Sequence, residues 1–359
     1  MRIGIVTQPL SRNYGGILQN YALQQTLIKL GHVPYTFDLG NYTWTDWAVL
    51  SIKTIIKKIL GRKCDFPQTP TQNNANERPL RTFVQQKISL ITPRLHKLSN
   101  EKIKEYNLEA LIVGSDQVWR PMYNYNIEDL FLKFAQDCNV KRLAYAASFG
   151  TGQWEYSDVQ TDNCKKMAQK FDAVSVREDS AVGLCKDHLN VEAVHVLDPT
   201  LLLTSDEYNR LLINFPPSAS KVLFAYLLDV NEQKVEYVKD YAKFLGLELV
   251  IKSADARLEP NDSIEKWLVN FRDAAYVITD SFHGCAFSVI YNVDFSVIGN
   301  PHRGLDRMTS LLNSLDLTDR LVGDSALEVI SQPQIEWNRI NERLNALRGY
   351  STMFLKQNL

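Results

Sequence analysis

A chain of 359 residues is long for a single hydrophobic core and suits two domains of ordinary size. Its 45% hydrophobic and 23% charged residues are the makeup of a globular protein, and no apolar run approaches the length of a membrane span. A net charge of −1 lacks the field of a nucleic-acid binder, and Cys64, Cys138, Cys164, Cys185 and Cys285 form neither a paired zinc spacing nor a disulfide framework.

Met1-Arg2 leads straight into Ile3-Gly4-Ile5-Val6 without a charged-then-apolar leader, so a cytoplasmic location is expected. The pattern predicts a strand over 2–8, a loop over 9–16, and a helix over about 17–30 with Ile17, Leu23, Leu27 and Leu30 in its apolar stripe. Gly31 stops that helix, and a strand over 33–39 completes a βαβ unit of the doubly wound kind. Gly15-Gly16 resembles a phosphate-cradling loop but lacks the fuller Gly-x-Gly-x-x-Gly spacing, and a plain tight turn is the stronger reading. Asn13, Tyr14 and Gln19 are placed to offer polar groups to a sugar.

Residues 41–99 read as an insertion: an amphipathic basic helix over 47–60, then a polar, proline-containing linker over 65–76 that is expected to be mobile. On the helix, Val49, Ile52, Ile55, Ile56, Ile59 and Leu60 share a face, while Lys53, Lys57 and Lys58 lie off it. Such a face either packs on the first domain or lies in an anionic membrane interface as a peripheral contact at the inner face of the membrane. A buried strand over 110–113 ends in Gly114-Ser115-Asp116-Gln117-Val118-Trp119-Arg120, where Ser115 and Asp116 form either a site or a helix cap. Strands over 142–148 and 173–176 follow, the second ending in Arg177-Glu178-Asp179-Ser180, and a strand over 191–197 closes on Asp198-Pro199.

The rhythm then repeats, with strands over 221–228, 247–251 and 293–298 and helices over 231–245, 263–273 and 305–315. Within it, Ala274 to Thr279 is an apolar run that gives way to Asp280, Ser281, His283 and Gly284, where a helix N-terminus would favour an anion. The helical segment 334–357 ends the chain. The expected fold class is α/β, two Rossmann-like domains facing a cleft: 1–205, carrying the insertion of about 41–99; 206–335; and a C-terminal helix over 336–359 free to cross back.

Asn13-Tyr14-Gly15-Gly16 with Leu18 to Gln24, Gly114 to Trp119, Ser175 to Ser180, Asp198-Pro199-Thr200 and Asp280-Ser281-Phe282-His283-Gly284 occur in an order that resembles the polysaccharide pyruvyl transferase family, over roughly residues 3–310. The resemblance implies a fold similar to glycosyltransferase type B, phosphoenolpyruvate as donor and no further cofactor. It also implies a glycan or lipid-linked oligosaccharide acceptor, on which a pyruvate ketal is placed across two hydroxyls of one sugar in surface or capsular polysaccharide biosynthesis. Carried over by position, His283 is the catalytic histidine, Arg177 the donor-binding arginine and Arg303 the basic residue after the histidine motif. Many members carry an arginine where this chain has Ser281, so the donor clamp must differ or borrow Arg307 or Arg120.

The chemistry asks for a similar set. Guanidinium forks suit the donor's carboxylate and phosphate, and a histidine titrating near neutrality serves as acid and base in turn. Asp116 and Asp280 are candidates for a second acid/base; Ser281, Gly284 and Arg307 join Arg177 and Arg303 on the donor side. Asn13, Tyr14, Gly15, Gln19, Ser115, Gln117 and Trp119 are the acceptor-side candidates, and no metal ligands are expected. Two other readings stay open. A nucleotide-sugar glycosyltransferase would need an acidic residue on the ribose, which Asp255 or Glu259 supplies weakly, and a catalytically dead glycan-binding module would account for Ser281.

Overall fold

A computed structural model of the chain describes every residue except 41, 63, 125, 219–221, 254–261, 301–303, 324–328 and 330–331. The first half opens with β1 (Arg2–Val6), α1 (Tyr14–Lys29) and β2 (Val33–Thr36). The insertion folds as α2 (Trp44–Ile59), α3 (Pro70–Lys87) and α4 (Asn100–Glu105). β3 (Ala110–Val113), β4 (Lys141–Ala147), α5 (Asp158–Ala168), β5 (Ala173–Val176), α6 (Ser180–Leu184) and β6 (Val194–His195) complete a six-stranded parallel sheet of order β2-β1-β3-β4-β5-β6. β3 is Ala-Leu-Ile-Val, buried throughout, as a strand covered on both faces must be.

After α7 (Ser205–Asn209), the second half runs β7 (Val222–Leu227), α8 (Glu232–Leu245), β8 (Glu248–Ser253), α9 (Ile264–Arg272), β9 (Ala274–Thr279), α10 (Phe282–Ile290), β10 (Phe295–Ile298), α11 (Asp306–Leu315) and β11 (Leu321–Val322). Its strands pair in parallel in the order β11-β10-β9-β7-β8. The protein is therefore two parallel-sheet α/β domains. The last helix, α12 (Trp337–Asn358), touches both: Trp337 Nε1 donates to Asp294, while Ser351 Oγ accepts from the Leu197 amide and Phe354 packs against Tyr145.

One hydrophobic cluster runs through the junction, joining Ile17 and Leu18 of α1 to Trp267 of α9 and Phe287 of α10. Tyr14 stacks on Trp267, with centroids 5.4 Å apart and planes 12° off parallel, and donates its hydroxyl to the Asp262 carbonyl at 3.1 Å. The halves meet as closely at Gly304, where a Cβ would lie 1.6 Å from the Gly150 carbonyl oxygen and φ is +88°. Only glycine satisfies both conditions.

Three expectations change. Helix α1 starts at Tyr14 rather than near 17, because the two glycines that read as a turn form its first turn. Part of the expected linker 65–76 is the start of α3, an ordered helix that buries Leu80, Phe83 and Val84. Its signals were legible: Thr69 and Gln72 form a capping box and Pro70 fills the first turn, while the interior Pro79 hides the continuation. Third, the apolar face of α2 does not pack on the first domain: Val49, Ile52, Ile56 and Ile59 are all exposed. Among the described residues no helix is long and apolar enough to cross a membrane.

Candidate active site

The site is assembled from strand ends. β9 stops where Asp280 and Ser281 turn the chain into α10, and Ser281 caps that helix by accepting the Gly284 amide at 3.3 Å. The Gly284 N–H is thereby occupied rather than offered to a ligand. Glycine is needed there for packing, since a Cβ would lie 2.2 Å from Thr279 Oγ1. His283 follows in the first turn of α10, 6% exposed, with its ring against α1. A Cβ on Gly15 would sit 1.9 Å from His283 Nδ1, so Gly15 is what lets the two halves close on the imidazole.

The other edge of the ring faces Asp198, which follows β6. Nε2 is 3.9 Å from Asp198 Oδ2 and has no hydrogen-bond partner among the described residues. Asp198 Oδ2 accepts from Ser115 Oγ at 2.7 Å and Arg177 Nη1 at 2.9 Å, and Oδ1 accepts from the Thr200 amide and hydroxyl at 2.9 and 2.7 Å. Arg177, at the end of β5, also lies 3.5 Å from Asp116 Oδ1 and 4.5 Å over the Phe282 ring. Asp116 sits at φ +76°, held by Asn13 Nδ2 at 2.8 Å and the Gln117 amide at 2.9 Å. A residue so placed at a cleft stores local strain that its partners must offset.

Between the sheets lies a cleft of about 460 Å³, walled by Arg12, Asn13 and Asp116 from the first half and Trp267, His283 and Arg307 from the second. Beside it, a β-bulge in β4 turns the Ser148-Phe149-Gly150 segment onto Glu178, whose Oε1 accepts from Ser148 Oγ and the Phe149 and Gly150 amides. Among the described residues no group of three or more His, Cys, Asp or Glu side chains is placed to hold a metal ion.

Burial is the largest influence on His283 and lowers its pKa below the ordinary 6.5; Asp198 and Asp116 pull upward without reversing it, and Arg177 and Arg307 add to the lowering. Burial alone would raise Asp198; a charge on His283 would lower it, and with the imidazole neutral it is the Arg177 guanidinium and the Thr200 hydrogen bonds that hold it below 3.8. The resting pair is a neutral imidazole beside an ionised carboxylate, because Asp198 receives four hydrogen bonds and His283 Nε2 none. Burial, then Arg177, push Arg307 down to about 10, still a cation at neutral pH.

The sign for stability follows from linkage. Below 6.5 the unfolded chain takes up a proton that native His283 refuses, so its contribution is full above 6.5 and is lost as pH falls through the depressed native value. In an NMR titration of labelled histidines, with the signal assigned by its absence in His283→Ala, His283 is expected to titrate below 6.5 in the ligand-free protein. A midpoint above 6.5 would show that Asp198 outweighs burial.

Of the residues singled out from sequence, His283, Asp116, Asn13, Gly15, Gln117, Ser281 and Arg307 line the cleft. Others are engaged elsewhere. Asp280 accepts from the Leu228 and Asp229 amides and from Lys234 Nζ at 2.6 Å, so both its oxygens serve the second sheet rather than acid–base work. Trp119 stacks on Phe131 in the first core, Gln19 bonds Thr7 and the Gly16 carbonyl, Ser115 bonds Asp198, and Tyr14 holds Trp267. Arg120 is committed to Glu155 and Gln117, which removes it as a substitute clamp. Arg177 stands behind Phe282 and Asp116 rather than in the cleft wall. Arg303, Asp255 and Glu259 lie outside the described residues.

Sequence reasoning left Asp198 and Arg12 without a role. Asp198 had a readable signal, an Asp before Pro with Thr two places on, which is a local cap pattern at a strand end. Arg12 had none beyond its loop.

The chain is similar in architecture to UDP-N-acetylglucosamine 2-epimerases from Rickettsia bellii (12% identity, 99% of this chain and 95% of the other, TM-score 0.45) and Methanocaldococcus jannaschii (10%, 96% and 92%, 0.48). It is also similar to UGT89C1 of Arabidopsis thaliana complexed with UDP-L-rhamnose (9%, 99% and 93%, 0.48). No curated protein matches the chain in sequence. The model of one family, Polysaccharide pyruvyl transferase, matches residues 13–302. That span holds both sheets' strand-end residues around the cleft, from Asn13 through Asp116 and Asp198 to His283, and the chain belongs to the polysaccharide pyruvyl transferase family.

Proposed function

We propose that the protein transfers pyruvate from phosphoenolpyruvate to two hydroxyls of one glycan sugar, forming a ketal and releasing phosphate, in surface or capsular polysaccharide biosynthesis. The observation that carries this reading is a buried His283 sharing one cleft with guanidinium groups from both halves, Arg12 and Arg307. The donor offers two anionic groups, and forks of this kind recognise both through charge-assisted hydrogen bonds. Arg307, and Arg12 turning from its half-exposed contacts with Gln68 and Glu77, take the role that Arg177 was expected to fill, while Arg177 holds Asp198 and Asp116.

In the proposed reaction the first sugar hydroxyl adds to C2 of the donor, losing its proton as a proton is delivered to the methylene C3. The second hydroxyl then attacks C2, its proton leaves, and the C2–O bond to phosphate breaks. His283 is the acid and base that relays these protons, with Asp116 as a second candidate. Bound donor dianion and Asp198 both favour the imidazolium, so a histidine neutral at rest becomes a competent acid once the donor is in place. The donor lies between Arg12 of the first domain and Arg307 of the second, and Asn13, Gly15 and Gln117 of the first domain face the acceptor.

Thermal denaturation with candidate ligands tests the donor. Phosphoenolpyruvate at about a hundred times its Kd is expected to stabilise the protein by about 2.7 kcal/mol, and nucleoside diphosphates are expected to leave it unchanged. Stabilisation by a nucleoside diphosphate and none by phosphoenolpyruvate would overturn the reading in favour of a nucleotide-sugar enzyme.

A further inference from the structure

Helix α2 turns its apolar side away from the protein. Trp47 and Ser51 face inward: Trp47 Nε1 donates to the Pro67 carbonyl, and Ser51 is buried. On the opposite side Val49, Ile52, Ile56 and Ile59 are 51, 58, 52 and 79% exposed. A continuous strip of β-branched side chains left half or more exposed is not a fold requirement, and it marks an interaction surface. Lys53 and Lys57 border the strip along one edge. Lys58 lies on the side of Trp47 and Ser51, with its ammonium 4.4 Å from the Phe66 ring centre. Arg62 lies exposed just past the helix end.

We propose that α2 docks the protein on an anionic lipid surface. An exposed apolar strip flanked by lysines is the form of a helix lying in the plane of a membrane interface, apolar side down and ammonium groups among the headgroups. Charge decides the occupant. A second copy meeting α2 about a two-fold axis would set Lys53 and Lys57 against their own equivalents, and the one acidic residue of the helix, Asp46, is engaged in the cap with Thr43. Anionic headgroups meet the lysines without that conflict. The placement also suits the molecule: Asp46 and Leu50 of α2 line a second cavity, of about 560 Å³, together with Arg12, and Arg12 lines the interdomain cleft as well. The helix that docks is therefore linked to the cleft through Arg12. The docking itself does not rest on the pyruvyl-transfer reading, and its test uses vesicles that contain no acceptor.

The full-length protein is floated with vesicles of phosphatidylglycerol and phosphatidylcholine, and with phosphatidylcholine alone. It is expected to rise with the anionic vesicles, less so as salt is added, and to stay behind with the neutral ones. The double variant Ile52→Ser/Ile56→Ser should not float. Lys53→Glu/Lys57→Glu should bind roughly 25-fold more weakly or worse, at about five-fold per basic residue removed. Both variants alter exposed side chains, so unchanged melting temperatures are expected to show that they are folded. Failure of the wild-type protein to float with anionic vesicles would overturn the proposal, as would equal flotation of both variants. A dimer in sedimentation equilibrium that Ile52→Ser/Ile56→Ser dissociates, without any flotation, would make the face a self-interface and overturn it too.

Discussion

His283→Ala is expected to fold normally and, in the proposed reaction, to release phosphate from phosphoenolpyruvate roughly 100- to 10,000-fold more slowly than the wild-type protein, the range that loss of a general acid–base group spans. The substitution breaks no hydrogen bond of Nε2 among the described residues, and Asp198 keeps its bonds to Ser115 and Thr200, so the structural loss is confined to packing where the halves meet at Gly15. What the substitution removes is the group in the cleft that is buried, neutral at rest and able to gain a proton when an anion binds beside it. Donor affinity, read by thermal shift, should change little, because Arg12 and Arg307 remain. Phosphate release near the wild-type rate from a folded variant would remove His283 from the chemistry.

How far the fold was legible depends on how local its causes are. The runs at 110–113 and 173–176 match β3 and β5 to the residue; in β3 the reason is that a strand covered on both faces has to be a short unbroken apolar string, and in β5 the string is broken only by Ser175, which is buried. His283 was legible for a similar reason: the strand-to-helix junction that presents it is encoded within ten residues or so. The network behind it was not. Asp198 gains its place from Ser115, Arg177 and His283, which reach it from three other strand ends, and no spacing along the chain announces that convergence. Trp119 and Asp280 failed in the opposite direction. Each sits at a strand end where chemistry is expected, yet Trp119 fills the core against Phe131 and Asp280 ties Lys234 and two amides to the sheet. A motif marks the neighbourhood of a site, and only the direction of each side chain separates the residues that face the cleft from those that hold it open.

Arg177→Met is expected to lower stability by about 3–5 kcal/mol, a large part of the 5–15 kcal/mol typical of a domain. The arginine is 3% exposed and shares its charge between Asp198, at 2.9 Å, and Asp116, at 3.5 Å. Removing it leaves two buried carboxylates without their cation, and methionine fills the space while supplying none of the charge. Loss of stability alone would be equally true of any buried ion pair, so a second readout is needed. Arg177 also helps to lower the His283 pKa, by repulsion, while Asp198 raises it. With the guanidinium gone only burial and Arg307 oppose the pull of Asp198 and Asp116, and the NMR titration midpoint should move up from the wild-type value. Arg177→Lys should fall between the two, because one ammonium keeps the charge but does not span both carboxylates as the planar fork does. A folded Arg177→Met protein whose stability and His283 midpoint both equal those of the wild type would show that the arginine neither holds Asp198 nor tunes the histidine, and would return it to the donor-binding role that its position in the family's motif implies.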